Sequence, residues 1–240
     1  MVADSNARRL GQTVAGPLAG ADFESFLGAL RVVPVVEIAC ADDAVPLART
    51  LLEAGLPCAE ITFRTAAAPQ AIAAVVAEVP EVRVGAGTVL NVAQAEAALA
   101  AGAGFLVSPG FDAAVVGLAL ERGVPIVPGV CTPTEVGLAL ERGLSVVKLF
   151  PAEAAGGVPY LRALAAPFGG VRFVPTGGIS ADNLPAYLAV GQVLACGGSW
   201  MVKKQLIADH DFATIGRLAA EARRIADAAR PAAGSRGDER

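Results

Sequence analysis

Eight short apolar runs, each followed by an alanine-rich stretch, leave this chain very few folds to adopt. The runs are VVPVVEIA (32–39), CAEITFR (58–64), VRVGAGTV (82–89), FLVSP (105–109), PIVPGV (125–130), VVKLF (146–150), RFVPTGG (172–178) and VLACGG (193–198). Their length and β-branched content suit strands, and the stretches between them carry helix start and stop signals. DDAVPLARTLLEAG, for example, offers Asp42 or Asp43 as N-cap and closes at Gly55. Strands that alternate with helices imply a parallel sheet. Eight such units in 240 residues predict an α/β fold of the (β/α)8 TIM-barrel type, not an open doubly wound sheet. A helix near 21–30 precedes the first strand, and another over 211–229 follows the last. The expected organisation is one barrel domain over 21–229. Residues 1–20 and 230–240 are small, polar or charged and are expected to be disordered.

An internal repeat supports the same architecture. VVGLALERGVPIVPGV (115–130) and TEVGLALERGLSVVKLF (134–150) share GLALERG, at 117–123 and at 137–143, an offset of 20 residues. The repeating element is one helix-strand unit.

Several functions are excluded by what the chain lacks. It is 54% hydrophobic, enough for a large core, and its net charge of −4 with no basic stripe argues against a nucleic-acid partner. Mean hydropathy is positive, yet no apolar run approaches the roughly 18 residues of a membrane span. The start, MVADSNARRLGQ, has no apolar core of a secretory signal. Cys40, Cys58, Cys131 and Cys196 form no C-x-x-C pair, so neither a zinc site nor a disulfide framework is expected, and a reducing cytoplasmic compartment fits. The single histidine, His210, reads as a surface residue at a helix start, which leaves no Ser-His-Asp triad and no histidine-rich metal site. GAGTVL (85–90) lacks the third glycine and the downstream acid of a dinucleotide fingerprint.

A barrel carries its active site at the C-terminal ends of its strands. The polar residues placed there are Glu60, Thr62, Arg64, Thr88, Ser108, Lys148, Thr176 and Ser199. Side chains alternate along a strand, so Lys148 shares a face with Val146 and Phe150, and Glu60 shares one with Thr62 and Arg64. A lysine in an apolar barrel mouth has its charged form disfavoured by desolvation, which favours the free amine that Schiff-base chemistry needs. Glu60 would then move the protons of the imine and enamine steps. The competing reading is a Glu60–Lys148 ion pair that only ties strands together. PTGGIS (175–180) and ACGGSW (195–200) end the last two strands, where barrels hold phosphate on backbone N–H groups. Ser180 is expected as the N-cap of the helix that follows. Pro109, Pro128, Pro151 and Pro175 mark strand ends, and Trp200 is expected to pack.

The segments VVPVV, AEITFRT, VGAGTVLN, SPGFD, VPGVCTPTE, VKLFPAE, RFVPTGGIS and GGSW, in this order from about residue 32 to 202, resemble the 2-keto-3-deoxy-6-phosphogluconate (KDPG) and 4-hydroxy-2-oxoglutarate (KHG) aldolases. The resemblance implies a class I aldolase on a (β/α)8 barrel, usually a homotrimer, with no metal and no cofactor. By the same resemblance Lys148 is the Schiff-base lysine and Glu60 the general acid/base. Arg64 and Thr88 contact the pyruvate carboxylate or position substrate. Pro109 and Phe150 line the pocket, and Thr176, Gly177, Gly178 and Ser199 bind substrate and phosphate. The implied reaction is cleavage of 2-dehydro-3-deoxy-6-phosphogluconate to pyruvate and glyceraldehyde 3-phosphate. Cleavage of 4-hydroxy-2-oxoglutarate to pyruvate and glyoxylate is a further activity. The galactonate epimer as substrate, and a non-catalytic barrel that binds phosphorylated sugars, are the alternatives. Glu37 departs from the pattern, because some relatives carry a basic residue at the corresponding place on the first strand.

Overall fold

The structure is a computed structural model and describes residues 20–229. The expected disordered ends, residues 1–19 and 230–240, lie outside the described residues, while Gly20 opens the first helix. Helix α1 (Gly20–Leu30) leads into β1 (Val32–Val36). There follow α2 (Ala44–Glu53), β2 (Cys58–Thr62), α3 (Ala68–Glu78), β3 (Arg83–Gly87), α4 (Val92–Ala100), β4 (Leu106–Val107) and α5 (Ala113–Glu121). The fifth barrel strand comes in two pieces, β5 (Ile126–Val127) and β6 (Gly129–Val130), and is followed by α6 (Pro133–Glu141). Then come β7 (Val146–Leu149), α7 (Gly157–Ala165), β8 (Arg172–Phe173), α8 (Leu184–Leu188), β9 (Cys196–Gly198), α9 (Lys204–Ala208) and α10 (Phe212–Ala228).

All the pairings are parallel. One sheet runs β5-β4-β3-β2-β1-β9 and the other β6-β7-β8. The two meet at Pro128, whose missing N–H interrupts the ladder between β5 and β6. They meet again at the bridge Thr176↔Gly197, which ties the extension of β8 to β9. The ring is therefore closed, and the expectation of a (β/α)8 barrel with an added helix at each end is borne out. Closure removes the exposed sheet edge that an open sheet would leave.

The helices cover the outside. Leu47 and Leu51 of α2 and Ile72 and Val75 of α3 are fully buried against the strands. Each contributes about 1.5–3 kcal/mol relative to exposure. Helix α1 lies across the N-terminal end of the barrel. Its Phe23 ring is 5.2 Å from that of Phe105, just before β4, and Arg83 at the start of β3 sits over Phe26. Arg223 of α10 donates to the carbonyls of Ala29 and Leu30 and so caps the C-terminus of α1.

The repeat in the sequence is a repeat in space. Helices α5 and α6 have the same length and boundaries 20 residues apart. Each ends on a glycine with positive φ, Gly123 at 64° and Gly143 at 74°. The capping bonds match too: Val124 N–H to Ala119 C=O in one, Leu144 N–H to Ala139 C=O in the other. Their starts differ only in chemistry. Asp112 caps α5, whereas Thr132 and Glu135 form a reciprocal capping box on α6.

Two expectations about helix starts change. Asp43 precedes α2 but its side chain makes no cap bond. A 3-10 turn over Ala41–Asp43 turns its carboxylate to His210, at 2.9 Å. Ser180 is not the cap of α8, because a turn intervenes and Asn183 takes that position. Among the described residues, no helix is long and apolar enough to cross a membrane.

The four cysteines are free, with Cys40 exposed, Cys131 half-buried, and Cys58 and Cys196 buried. Burial pushes both buried thiols up, which removes the reactive thiolate. Alkylation of the native protein is expected to label Cys40 first and Cys131 more slowly. Cys58 and Cys196 should react only on unfolding. Peptide mass mapping over time checks this order, and early labelling of Cys58 would contradict the packing of β2.

Candidate active site

Lys148 is the third residue of β7 and pairs with Gly129 of β6. Glu60 is the middle residue of β2, between Val35 of β1 and Gly85 of β3. The barrel curvature brings the two side chains together. Lys148 Nζ donates to Glu60 Oε1 at 3.2 Å, with the residues only 4% and 3% exposed. A buried ion pair is seldom a net source of stability, because desolvation of both charges offsets their attraction. Such a pair inside the barrel calls for a chemical reason.

The room for Glu60 is made by Gly87, the last residue of β3. A Cβ added at Gly87 would fall 2.0 Å from Glu60 Oε1. The Phe150 ring lies 5.4 Å from Lys148 Nζ, in a cation–π arrangement. The Phe150–Pro151 peptide is cis. Gly177 packs against the same ring, since a Cβ there would sit 3.3 Å from it. Lys148, Glu60, Phe150 and the Thr176–Gly178 loop thus form one constellation.

Other predicted residues sit around it. Thr176 is buried with its side chain against Gly197. Pro109 follows β4, and its carbonyl packs against Gly129. Thr88 follows β3 with φ of 55°, a left-handed conformation that a β-branched residue adopts only under strain of about 1–3 kcal/mol. Ser199 is exposed beyond β9, and Trp200 packs over Gly198 as expected. Among the described residues, none accepts a hydrogen bond from the N–H groups of Gly177, Gly178 or Ser199. Two of the polar residues expected at the strand ends serve the backbone. Thr62 Oγ1 donates to Val36 C=O and Ser108 Oγ to Gly110 C=O.

Arg64 is held in an ion pair. It lies in the turn after β2, half exposed, with its guanidinium 3.6 Å from Glu37 Oε2. Glu37 Oε1 is also 3.6 Å from Lys204 Nζ, at the start of α9. Glu37 is therefore a bridge between two cations on the rim. Sequence reading left it without a role, because its partners come from elements that alternation within one strand does not connect. It also gave no role to Glu153, Asn183 or Tyr187, which support the loop after β8. Glu153 ends the quoted stretch VKLFPAE, but its partner Tyr187 lies on α8 and Asn183 at the start of that helix. Burial first, and then its bond to Glu153, hold the Tyr187 phenol above its ordinary range, so it remains a donor.

Taken together, the closed parallel barrel and the lysine–glutamate pair buried inside it define a (β/α)8 barrel built for amine chemistry. The chain matches the family described as KDPG and KHG aldolase over residues 23–218, and it belongs to that family. It is 54% identical over 203 residues to the 2-dehydro-3-deoxy-phosphogluconate aldolase of Treponema pallidum, covering 85% of this chain and 96% of that one. Among solved structures it is similar to the 2-keto-3-deoxy-6-phosphogluconate aldolase of Zymomonas mobilis with 3-phosphoglycerate. The identity there is 41%, the TM-score is 0.80, and the match spans 86% of this chain and 97% of the other. It is also similar to the KDPG aldolase of Legionella pneumophila with pyruvate captured as a covalent carbinolamine. There the identity is 36%, the TM-score is 0.80, and the spans are 82% and 96%.

The Gly87→Ala variant tests the geometry of the pair. The new methyl would displace the Glu60 carboxylate, and over-packing of this kind costs about 1–3 kcal/mol of stability. Turnover is expected to fall at least a hundredfold while the circular dichroism stays native. Wild-type turnover in Gly87→Ala would contradict the site as described.

Proposed function

We propose that the protein is a class I aldolase that cleaves 2-dehydro-3-deoxy-6-phosphogluconate to pyruvate and glyceraldehyde 3-phosphate. The observation that carries the reading is the 3.2 Å contact between Lys148 and Glu60 in a water-poor barrel mouth. A proton passes between the two groups across this contact in the proposed cycle. With that proton on Glu60, the Lys148 amine is free to attack the C2 ketone, and the acid stands ready to protonate the carbonyl oxygen. Loss of water gives an iminium. The Glu60 carboxylate then takes the proton of the C4 hydroxyl, the C3–C4 bond breaks, and its electron pair moves into the iminium as an enamine. The aldehyde leaves. Glu60 returns the proton to C3, and hydrolysis of the iminium releases pyruvate. General acid/base steps of this kind typically contribute 10²–10⁴-fold.

We assign the remaining roles by the family resemblance. Arg64 and Thr88 take the carboxylate end, and Pro109, Phe150 and Thr176 line the pocket. The unpartnered N–H groups of Gly177, Gly178 and Ser199 take the phosphate. The captured carbinolamine in the Legionella pneumophila relative supports the amine chemistry. A 2-ketone with a 4-hydroxyl is all the bond cleavage needs, so 4-hydroxy-2-oxoglutarate is a second substrate, giving pyruvate and glyoxylate. The galactonate epimer differs at C4 only, and its kcat/KM measured beside that of the gluconate form decides between the two. A barrel that merely bound phosphorylated sugars would have no use for a buried pair with this desolvation cost. We infer a homotrimer as the assembly. The leucines that stay exposed on α5 and α6 (Leu120, Leu138 and Leu140) support this, being apolar surface an assembly would cover. The free cysteines support a reducing, cytoplasmic setting.

Borohydride reduction in the presence of pyruvate is expected to fix one adduct, on Lys148. Lys148→Ala should lose both the adduct and turnover, whereas Glu60→Gln should lose turnover by at least a hundredfold. An adduct on another lysine, or one that survives Lys148→Ala, overturns the mechanism.

Glu37 gives a separate test. It competes with the substrate for Arg64, and exposed pairs of this kind are worth about 0.2–1 kcal/mol. In Glu37→Gln, KM is expected to fall about two- to fivefold with kcat unchanged, more so at low ionic strength. A rise in KM would mean that Glu37 holds Arg64 in its productive position instead.

A further inference from the structure

The loop after β8 is held by contacts that the proposed chemistry does not use. Three consecutive carbonyls each accept a bond from outside the loop. Thr176 C=O accepts from the Ala152 N–H at 2.8 Å, and Gly177 C=O from the Glu153 N–H at 3.0 Å. Gly178 C=O accepts from Asn183 Nδ2 at 2.9 Å. Asn183 is itself fixed, because its Oδ1 accepts from the Ser180 N–H at 2.8 Å.

The peptide group is planar and trans, so each carbonyl points opposite to the next residue's N–H. Fixing those three carbonyls therefore aims the N–H groups of Gly177, Gly178 and Ile179 away from the clamp. Gly177 and Gly178 reach this geometry with φ of 98° and 81°. Successive N–H groups oriented in this way form an anion-binding concavity.

Glu153 closes the clamp. It follows the Phe150–Pro151 turn, and its side chain lies over Gly178, where an added Cβ would come within 2.6 Å of Glu153 Cβ and Cγ. Its carboxylate accepts a hydrogen bond from Tyr187 OH. Tyr187 is fully buried on α8, and the same helix has Asn183 at its start. The loop after β7, the loop after β8 and helix α8 are thus linked by side chains on all three.

The geometry points to Glu153, Tyr187 and Asn183 as positioning residues that set the preference for a phosphorylated substrate by fixing the N–H groups of the loop after β8. They touch no substrate themselves. The inference rests on the aldolase reading for its substrates, but phosphate binding tests it independently.

The experiment compares Tyr187→Phe, Glu153→Ala, Glu153→Gln and Asn183→Ala with the wild type. For each, kcat/KM is measured with 2-dehydro-3-deoxy-6-phosphogluconate and with 4-hydroxy-2-oxoglutarate, and the Kd of inorganic phosphate by calorimetry. Loss of one such bond corresponds to about a five- to tenfold effect. The ratio of the two kcat/KM values should therefore fall by that factor in Tyr187→Phe, Glu153→Ala and Asn183→Ala, with a matching rise in the phosphate Kd. Glu153→Gln keeps an acceptor for the phenol and should restore most of the ratio. Tyr187→Phe should add little in a Glu153→Ala background, since the two lose the same link. If both substrates suffer equally and the phosphate Kd is unmoved, the residues only stabilise the fold and the inference is overturned. Glu153 is exposed, so Glu153→Ala carries the test even where Tyr187→Phe disturbs the core. A wild type that forms no borohydride adduct refutes the aldolase reading, while the phosphate Kd still decides the role of the clamp.

Discussion

The hydrogen bond from Lys148 to Glu60 is the constraint around which the barrel is arranged. Neither group would be tolerated alone at that depth, since an uncompensated buried charge is strongly destabilising. Keeping both requires β2 and β7 to face each other across a closed ring. It also requires an adjacent strand to end on glycine, because only Gly87 leaves space for the carboxylate. The apolar wall around the pair excludes water, which strengthens every interaction between the groups inside. The same surroundings that make the pair expensive to bury make it useful for chemistry.

The supports of the site differ in kind. Strands hold the lysine and the glutamate, and their ladders leave little freedom. Loops hold the anion-binding N–H groups, and those loops are fixed by carbonyl acceptors and by the link from Glu153 to Tyr187. Preorganised donors of this kind need no rearrangement when charge arrives. On the opposite rim, Glu37 holds Arg64 and Lys204 by two longer contacts. Those side chains are half or more exposed, and solvent leaves them adjustable.

Much of this was legible in the sequence. Alternation of strand and helix disclosed the barrel, since each run carries its own period and its own stops. Alternation within strands placed Lys148 with Phe150. Both readings use interactions between residues close in the chain. What stayed hidden depends on residues far apart in sequence. The break at Pro128 could be foreseen as a strand end, but not the way β5 and β6 fall into different sheets. Ser180 looked like a cap until the turn before α8 gave that place to Asn183. His210 read correctly as a surface residue before a helix, but its Asp43 partner comes from the turn before α2, far away in sequence. Glu37 and Glu153 remained without roles for the same reason, because each is explained by a partner in a distant element.

The duplicated GLALERG unit has a consequence for where chemical identity resides. Helices α5 and α6 share their length, their glycine stops and even the exposure of corresponding leucines, Leu120 at 44% and Leu140 at 42%. The strands they feed diverge after Val127 and Val147. One is the broken PIVPGV and the other is VVKLF with its lysine. The outer shell is thus generic carpentry, interchangeable between neighbours, and the distinction between a bystander segment and a reactive one is written in the few inward positions of a single strand.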